Sequence, residues 1–285
     1  MHASSNDSPR CPVCDGETAE YCRKRAFDQE WIIARCRSCG HGFVVNRPSL
    51  ETLAEVYAGV DHHPMDPISA DLLEDKPICR QVANDVRELT DARGRVLDIG
   101  CGDGGFAYHL AKLGFGPFLL IDIDDRSERS AEVVPNSEFR RVPFEDIEDE
   151  QFSLIVMSQV LEHAHDPMGW LHRARRLLDD DGMLVVALPN FGGVYRLIGS
   201  RDPMIIPPMH LSYFTARSLR LALEQAGFEI VRQQSDSQVL IRADGMSLPR
   251  RAAGRVWNTA SRMLNPTMRG IFLQYYARPV APRDA

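Results

Sequence analysis

An α/β fold, with a mostly parallel sheet and a small cysteine-rich unit before it, is predicted by three features of this sequence. The run Arg95–Ile99 reads as a strand that enters a glycine-rich turn and then a helix near Gly105. The run Phe152–Ser158 is almost continuously apolar, as expected of a strand buried on both faces of a parallel sheet. Two Cys-x-x-Cys pairs lie near the N terminus.

The composition is that of a globular protein with one large domain and a smaller unit. The chain has 285 residues, and 44% of them are hydrophobic, which is enough for a substantial core. The net charge of -7 argues against a nucleic-acid-binding protein. There is no run of eighteen apolar residues, and the start MHASSNDSPR lacks the apolar segment of a secretory signal, so we expect no transmembrane segment and a cytoplasmic location.

The four cysteines Cys11, Cys14, Cys36 and Cys39 form two pairs in knuckle-like settings, CPVCDG and CRSCGH. This spacing is typical of a zinc ribbon, in which four thiolates surround Zn²⁺ and leave no open position for catalysis. We therefore expect a disordered tail over 1–9 and a zinc ribbon over 10–48. Four unrelated reduced thiols are the alternative. His41 could substitute for one ligand, but four cysteines already fill the shell.

The region after the ribbon is expected to lead into the main domain. Ser49–Tyr57 begins a short helix with Ser49 as its N-cap. Three prolines and two adjacent histidines make Asp61–Pro77 a loop or lid, so that 49–76 is a linker before a domain over 77–285. The apolar spacing of Pro77–Thr90 predicts a helix that precedes the first strand of the sheet.

The remaining chain alternates between helical and strand patterns. The expected elements are, in order, the strand Phe118–Ile123, a polar helix Arg126–Val133, a strand near Phe139–Val142, the strand Phe152–Ser158, the helix Met168–Leu178, a turn at Asp181–Gly182, the strand Met183–Leu188, the helix Ala216–Ala226, the strand Phe228–Gln233 and the strand Ile271–Ala277.

An insertion over about 242–269 mixes basic residues with apolar ones at helical spacing. The basic residues are Arg250, Arg251, Arg255 and Arg262. One interpretation is a surface helix that touches a membrane holding a lipid-linked substrate. The favoured interpretation is an insertion that covers the substrate or forms a homodimer.

The glycine turn VLDIGCGDGG is the main candidate for a binding site. Gly100, Gly102 and Gly104 lack a Cβ atom, so the backbone can turn tightly and a ligand can approach it. Asp98 ends the first strand, where it either reaches a ligand ammonium group or orders the turn, and Asp122 ends the next strand at the place where an acidic residue binds a ribose hydroxyl. The absence of Gly-Lys-Ser/Thr disfavours a nucleoside triphosphate, and the turn alone suits NAD and S-adenosylmethionine equally.

Over about residues 76–245 the chain resembles the class I S-adenosylmethionine-dependent methyltransferases. The motifs that carry the resemblance are, in order, VLDIGCGDGGF, LLIDID, FSLIVMSQVLEHAHDP, GMLVVALPN and HLSYFTARSLRLALEQAGFEIV. The resemblance implies a Rossmann-like seven-stranded sheet, with the cofactor over the ends of its first strands. The ribbon followed by this domain is also similar to the N-terminal part of sugar C-methyltransferases, but the large C-terminal domain of those enzymes is lacking, which puts C-methylation in doubt.

The resemblance assigns roles to residues along the sheet edge. The three glycines would wrap the methionine end of the cofactor, and Asp122 would hold the ribose. Ser158 and Gln159 would face the methyl-transfer cavity. The family's acidic residue near the adenine is absent at Pro143, so Phe144 and the backbone there would bind the base. The cofactor-binding set is then Asp98, Gly100, Gly102, Gly104, Asp122, Ile123, Phe144, Glu145, Ser158 and Gln159.

The candidate general bases are Glu162, His163, His165 and His210. A histidine suits this work because its unperturbed pKa lies near neutrality. His210, on a loop where the acceptor is expected to enter, is the first candidate, and the alternative is that it only fixes that loop. His163 is the second, and its LEHAHDP stretch is common in the family whatever the acceptor.

The sequence therefore predicts methyl transfer to a small-molecule acceptor, preferably O-methylation of a sugar, a glycan or a related natural-product intermediate that is sugar- or lipid-linked. An RNA methyltransferase that uses the ribbon to bind rRNA or tRNA is one alternative. A non-catalytic binding protein with this fold is the other. Ser158-Gln159-Val160-Leu161 replaces the element typical of enzymes that methylate exocyclic amines of bases, which disfavours nucleic acid.

Overall fold

The computed structural model describes residues 9–59, 68–237, 254, 256 and 265–280. These residues form two compact units. The ribbon unit, as we call it, runs from the N terminus to Val56 and includes Leu188–Ala222 and Gln233–Gln274. The sheet unit consists of Tyr57–Ala187, Leu223–Arg232 and the chain from Tyr275 onward. The ribbon is thus continued by later parts of the chain, which the linear domain boundaries expected from the sequence did not anticipate.

The ribbon unit contains a sheet in the order β1-β2-β3-β9. Its strands are β1 Thr18–Ala26, β2 Gln29–Cys36, β3 Gly42–Val44 and β9 Ser212–Tyr213. Phe27 and Asp28 both have positive φ, 53° and 57°, as a tight two-residue hairpin turn requires. The short strand β9 pairs antiparallel with β3, with Gly42 opposite Tyr213 and Phe43 opposite Ser212. The HLSYF motif therefore completes the ribbon sheet.

Within the described residues a seven-stranded sheet has the order β10-β11-β8-β7-β4-β5-β6, as the resemblance implied. The strands are β4 Val96–Ile99, β5 Phe118–Ile121, β6 Ser137–Arg140, β7 Phe152–Ser158, β8 Leu178–Pro189, β10 Phe228–Asp236 and β11 Phe272–Pro279. Strands β4, β5 and β7 are buried almost throughout, and β4 pairs in parallel with both of its neighbours. Parallel pairing places the carboxyl ends of these strands at one sheet edge.

Helices cover and connect these strands. They are α1 Leu50–Gly59, α2 Ala70–Glu74, α3 Pro77–Leu89, α4 Gly105–Lys112, α5 Ser130–Val133, α6 Pro167–Leu177 and α7 Ala216–Gln225. The predicted N-cap of α1 is confirmed, since the amide of Thr52 donates to Ser49 Oγ at 3.1 Å. Gly227, with φ of 87°, follows the end of α7 as expected. No helix in the part of the chain that the structure describes is both long and apolar enough to cross a membrane.

Two sequence expectations were wrong in detail. Ala70–Glu74 is helical, not loop, because Ser69 caps it by accepting from the amide of Leu72 at 3.3 Å. The turn at Asp181–Gly182 is instead part of β8, which already pairs with β7 at Leu178 and Phe152 and accommodates extra residues by a register shift. The polar run of aspartates was mistaken for a turn, although a bulged strand end tolerates it.

The expected insertion over 242–269 falls largely outside the described residues, as do Arg250, Arg251, Arg255 and Arg262. Residues 60–67 of the expected lid and the expected tail over 1–8 also lie outside them. The described end of the insertion is a short 3₁₀ turn, Asn265–Thr267, in the ribbon unit.

Candidate functional site

The glycine turn after β4 has one position that faces open space. A Cβ atom at Gly100 would lie 2.2 Å from Val160 Cγ1, and at Gly104 it would lie 2.9 Å from Ser130 Cβ. At Gly102 nothing lies within 4 Å. All three have positive φ, so the turn itself requires glycine. Gly100 and Gly104 are therefore needed for packing, and Gly102 leaves room for a ligand against the backbone.

Asp98 at the end of β4 is a buried carboxyl without a full set of partners. It is 2% exposed, and its Oδ2 has no hydrogen-bond partner among the described residues. Burial raises its pKa to about 8, and the charges of Asp122 and Asp103 add to this shift. An uncompensated buried acid beside a glycine turn fits a cationic ligand group, since a cation would stabilise the carboxylate.

Asp122 follows β5 and holds the turn in place. Its Oδ2 accepts from the amide of Gly102 at 2.9 Å, and its Oδ1 accepts from the amide of Asp124 at 3.0 Å. Each carboxylate oxygen has a further lone pair with which it can accept from a hydroxyl. The next side chain, Ile123, is 54% exposed, so it offers an apolar surface at the same strand end.

The sequence missed a second contact of the turn, an ion pair between Lys76 and Asp103. Asp103 also accepts from the amide of Gly105, the first residue of α4, at 3.1 Å. Lys76 directly precedes α3. The acidic residue Asp103 inside the turn could have suggested that a basic residue pairs with it. Nothing in the sequence indicates that this basic residue is Lys76.

Phe144 does not present its ring to a ligand, although the sequence predicted that it binds the adenine. The ring of Phe144 is 2% exposed and packs edge-on against Trp170, with ring centroids 5.2 Å apart. The ring therefore belongs to the core, and the backbone of this segment is what remains for an adenine. Glu145 is exposed and accepts from Nε1 of Trp170 at 2.7 Å.

Ser158 is the last residue of β7, which lies next to β4 in the sheet, and Gln159 directly follows it. Gln159 has a φ of 57°, which is uncommon for a residue with a side chain. Its amide donates to the carbonyl of Ala187 at 2.7 Å, and its side chain is exposed. Backbone strain of this kind is frequent at ligand sites, so the geometry agrees with a role for Gln159 at the strand end.

Glu162 and His163 follow in a 3₁₀ turn. Glu162 is 1% exposed, neither carboxylate oxygen has a hydrogen-bond partner among the described residues, and burial raises its pKa to about 8. A carboxyl that is protonated at neutral pH cannot take up a proton, which argues against Glu162 as the base. His163 Nδ1 lies 3.1 Å from the hydroxyl oxygen of Tyr57.

His210 belongs to the ribbon unit, whereas His163 belongs to the sheet unit. The His210 side chain is buried, and its Nδ1 lies 2.9 Å from the carbonyl oxygen of Met204. A carbonyl can only accept, so Nδ1 carries the proton. In the neutral ring the lone pair is then on Nε2, and a base uses that lone pair.

The four cysteines of the ribbon lie together as predicted, with their sulfur atoms all within 4.8 Å of one another. Cys11 Sγ is 3.6 Å from Cys39 Sγ, and Cys14 Sγ is 3.4 Å from Cys36 Sγ. A tetrahedron with metal–sulfur bonds of about 2.3 Å has edges of about 3.8 Å, so these thiols fit one tetrahedral ion. The amides of Ser38 and Cys39 both point to Cys36 Sγ, as a thiolate requires.

His41 is not part of this cluster. Its ring is fully buried and lies against two aromatic rings, at centroid distances of 6.2 Å from Phe43 and 4.6 Å from Phe214. Neither ring nitrogen has a hydrogen-bond partner among the described residues. His41 therefore packs in the core of the ribbon unit, and the substitute-ligand interpretation finds no support.

Comparison with known proteins agrees with this geometry. A family model described as a methyltransferase domain matches residues 74–233, which is more than half of the chain. A ubiquinone biosynthesis O-methyltransferase of Azorhizobium caulinodans is 26% identical over 138 residues, which cover 45% of this chain and 53% of that protein. The mitochondrial arginine-hydroxylase NDUFAF5 of Mus musculus is 29% identical over 199 residues, which cover 64% of this chain and 55% of that protein. This chain thus spans about half the length of these curated relatives.

Among solved structures, the 1,6-didemethyltoxoflavin-N1-methyltransferase of Burkholderia thailandensis has the same fold. The TM-score is 0.53 at 17% identity, and the match covers 90% of this chain and 98% of that one. The family model spans the glycine turn, the strand ends that carry Asp98 and Asp122, and most of the seven-stranded sheet. The chain therefore belongs to the class I S-adenosylmethionine-dependent methyltransferases.

Proposed function

We propose that this protein transfers the methyl group of S-adenosylmethionine to an oxygen atom of a small-molecule acceptor, such as a sugar, a glycan or a related natural-product intermediate. The observation that carries the choice of an O–H acceptor is the hydrogen bond from His210 Nδ1 to the carbonyl of Met204. It orients a buried imidazole so that Nε2 can take the proton of a hydroxyl. The Azorhizobium relative is named as an O-methyltransferase, which agrees with this choice.

The cofactor would supply a methyl group already activated by its sulfonium charge. The protein then has to bind the cofactor and the acceptor, orient the acceptor oxygen towards the methyl group and remove the proton of the acceptor hydroxyl. Gly102 would let the cofactor approach the backbone, and Asp98 would face its positive charge. Asp122 would accept from the ribose hydroxyls with the lone pairs that the turn does not use. Ile123 and the backbone near Glu145 would contact the adenine, and Ser158 and Gln159 would border the methyl-transfer cavity.

His210 would act as the general base. Removing the acceptor proton as the oxygen attacks prevents a positive charge from building up on that oxygen, and such a step contributes typically about 10²- to 10⁴-fold in rate. His163 is the second candidate, but its Nδ1 faces the Tyr57 hydroxyl. Burial raises the pKa of Tyr57 to about 12, so that hydroxyl stays protonated, and we expect it to donate a hydrogen bond to Nδ1. His163 would then present an N–H group, which suits the orientation of an acceptor oxygen better than deprotonation.

The four cysteines would hold Zn²⁺ as a structural ion. Four thiolates fill a tetrahedral shell, so the metal would have no open position for a substrate. Its role would be to join the segment of Cys11 and Cys14 to the end of β2 and the turn that follows it.

The decisive experiment is a calorimetric titration of zinc-loaded protein with S-adenosylmethionine and with S-adenosylhomocysteine, followed by an assay against a panel of sugar and phenolic hydroxyls. We expect both ligands to bind and Asp122→Ala to weaken both. We further expect methylated oxygen in at least one acceptor and its loss in His210→Asn. Failure of both ligands to bind would contradict the proposal and favour a binding protein with this fold.

A further inference from the structure

An open cavity of about 550 Å³ lies within the ribbon unit. Its wall comes from the second cysteine knuckle, from the segments after β8 and β9, and from the segment before β11. Its volume is within the range of roughly 300–1,000 Å³ that small-molecule sites occupy. We refer to it as the arginine cavity, because five arginines line it: Arg35, Arg37, Arg196, Arg217 and Arg269.

The positive charge of this cavity is not neutralised by acidic side chains. No aspartate or glutamate is among its lining residues, and none of the five arginines forms an ion pair with any residue that the structure describes. This is unexpected in a chain with 33 basic and 40 acidic residues. A zinc ion with four thiolates would carry a net charge of about -2 at Cys36 and Cys39, which offsets only part of the five positive charges.

Arg35 shows how the charge is held without a carboxylate. Its guanidinium lies 5.6 Å from the ring centroid of Phe191 and 6.0 Å from that of Tyr21. Arg196 lines the same cavity as Arg35. Two like charges are thus kept close together, an arrangement that an anion would relieve.

The wall of the cavity is fixed by hydrogen bonds between distant segments. The buried Asn190 donates from Nδ2 to the carbonyl of Met268 at 3.0 Å and to that of Gly270 at 2.8 Å. The amide of Val194 donates to the carbonyl of Arg269 at 2.9 Å. Thr215 Oγ1 donates to the carbonyl of Cys39 at 3.3 Å. These bonds order the backbone around the arginines, so the site does not depend on a single mobile loop.

We propose, on the basis of the methyl transfer proposed above, that the arginine cavity binds a diphosphate group carried by the acceptor. Guanidinium groups match phosphate oxygens in a bidentate geometry, and five of them exceed what a single carboxylate needs. Diphosphate is the group common to nucleotide-linked and lipid-linked small molecules. RNA fits the cavity less well, because single-stranded RNA sites combine basic residues with aromatic stacking platforms and no aromatic residue is among the lining residues.

The test is a calorimetric titration of the zinc-loaded full chain with inorganic pyrophosphate at about 0.1 M salt. At this ionic strength, interactions between exposed charges more than about 10 Å apart are largely screened. We expect saturable binding, and a loss of affinity of at least about tenfold in the double variant Arg196→Gln/Arg269→Gln. Both side chains are exposed, so the variant should keep its thermal unfolding temperature. Arg25→Gln, an exposed arginine of β1 outside the cavity, is the control and should bind like the wild type.

Competition identifies the source of the diphosphate. Displacement of pyrophosphate by ADP supports a nucleotide-linked acceptor, and displacement by geranyl diphosphate supports a lipid-linked one. Absence of pyrophosphate binding, or equal affinity in the double variant and the control, overturns the proposal. Tighter binding of an oligoribonucleotide with a steep salt dependence, lost in the double variant, would also overturn it and make the cavity an RNA surface. Titration of the same variants with S-adenosylmethionine separates this outcome from failure of the cofactor site, since the arginine changes should leave that affinity unchanged.

Discussion

The hydroxyl oxygen of Tyr57 lies 3.1 Å from Nδ1 of His163, and the direction of this hydrogen bond decides which ring nitrogen of His163 carries the proton. The raised pKa of Tyr57, about 12 because of burial, keeps the phenol protonated at neutral pH. A protonated phenol can donate or accept, and we expect this one to donate to Nδ1, which leaves the ring proton on Nε2.

The first prediction concerns this tautomer. In the wild-type protein, ¹⁵N chemical shifts of His163 should show an unprotonated Nδ1 and a protonated Nε2 at neutral pH. Tyr57→Phe removes the donor and should shift the population towards the other tautomer, with little loss of stability because the ring volume is kept. A protonated Nδ1 in the wild type would contradict the assignment and would restore His163 as a candidate base.

The second prediction separates the two histidines by rate. His210→Asn keeps a side-chain N–H for the carbonyl of Met204 but has no basic nitrogen, so it should lower kcat by about 10²- to 10⁴-fold with cofactor affinity unchanged. His163→Asn should lower kcat less. The measurement is single-turnover transfer of a labelled methyl group. An unchanged rate in His210→Asn would mean that the residue only fixes its loop.

The sequence was sufficient to predict the parts of the fold that rest on local patterns. Buried parallel strands such as β7 are apolar throughout, and the glycines of the turn are needed for its backbone angles, so both could be found. The four cysteines were found by spacing, and the structure brings their sulfur atoms together. In each case the signal lies within a short stretch of the chain.

What the sequence could not show depends on distant segments. The pairing of β9 with β3 places Tyr213 opposite Gly42. A two-residue strand is too short to show a periodicity, so the sequence could not indicate which strand it pairs with. The arginine cavity gathers basic residues from several parts of the chain, and each of them alone is ordinary. Phe144 was assigned to the adenine because of its place after β6, but the contact with Trp170 buries its ring.

The third prediction is a pH dependence of cofactor affinity set by Asp98. Its raised pKa of about 8 means that the side chain is mostly neutral below that pH, whereas a cationic ligand favours the carboxylate. Affinity for S-adenosylmethionine should therefore rise with pH between about 6 and 7.5, by up to tenfold per pH unit, and binding should release a proton. Calorimetry in buffers of different ionisation enthalpy measures that proton.

Asp98→Asn provides the control for this prediction. The amide cannot ionise, so the variant should bind more weakly at all these pH values and should show no rise of affinity with pH. A wild-type affinity that is constant over this range would indicate that Asp98 does not face the charge of the cofactor.

The fourth prediction is that metal holds the ribbon unit together. Chelation, or Cys14→Ser, should remove about one zinc per chain and destabilise this unit by several kcal/mol, since metal-binding energy contributes directly to folding in such small units. Hydrogen exchange should rise first in β1 and β2. Cys22→Ser is the matched control, because Cys22 lies on β1 outside the four-sulfur cluster. If the metal content falls equally in Cys22→Ser, the assignment of the ligands is wrong.

The fifth prediction uses two glycines of one turn that differ in their surroundings. Gly100→Ala would place its methyl group 2.2 Å from Val160 Cγ1, whereas Gly102→Ala would meet nothing within 4 Å. Both have positive φ, so both pay about 1–2 kcal/mol of backbone strain, and overpacking adds about 1–3 kcal/mol at position 100 only. Denaturant unfolding should therefore rank Gly100→Ala as the less stable.

Cofactor affinity should show the opposite ranking once stability is accounted for. The methyl group of Gly102→Ala enters the open space beside the turn, so this variant should bind S-adenosylmethionine at least tenfold more weakly while it remains folded, in keeping with the loss of a close backbone approach. Val160→Ala in the Gly100→Ala background should recover much of the lost stability by removing the overlap. Wild-type affinity in Gly102→Ala would show that no ligand approaches this face of the turn, and the cofactor would then have to be placed elsewhere along the strand ends.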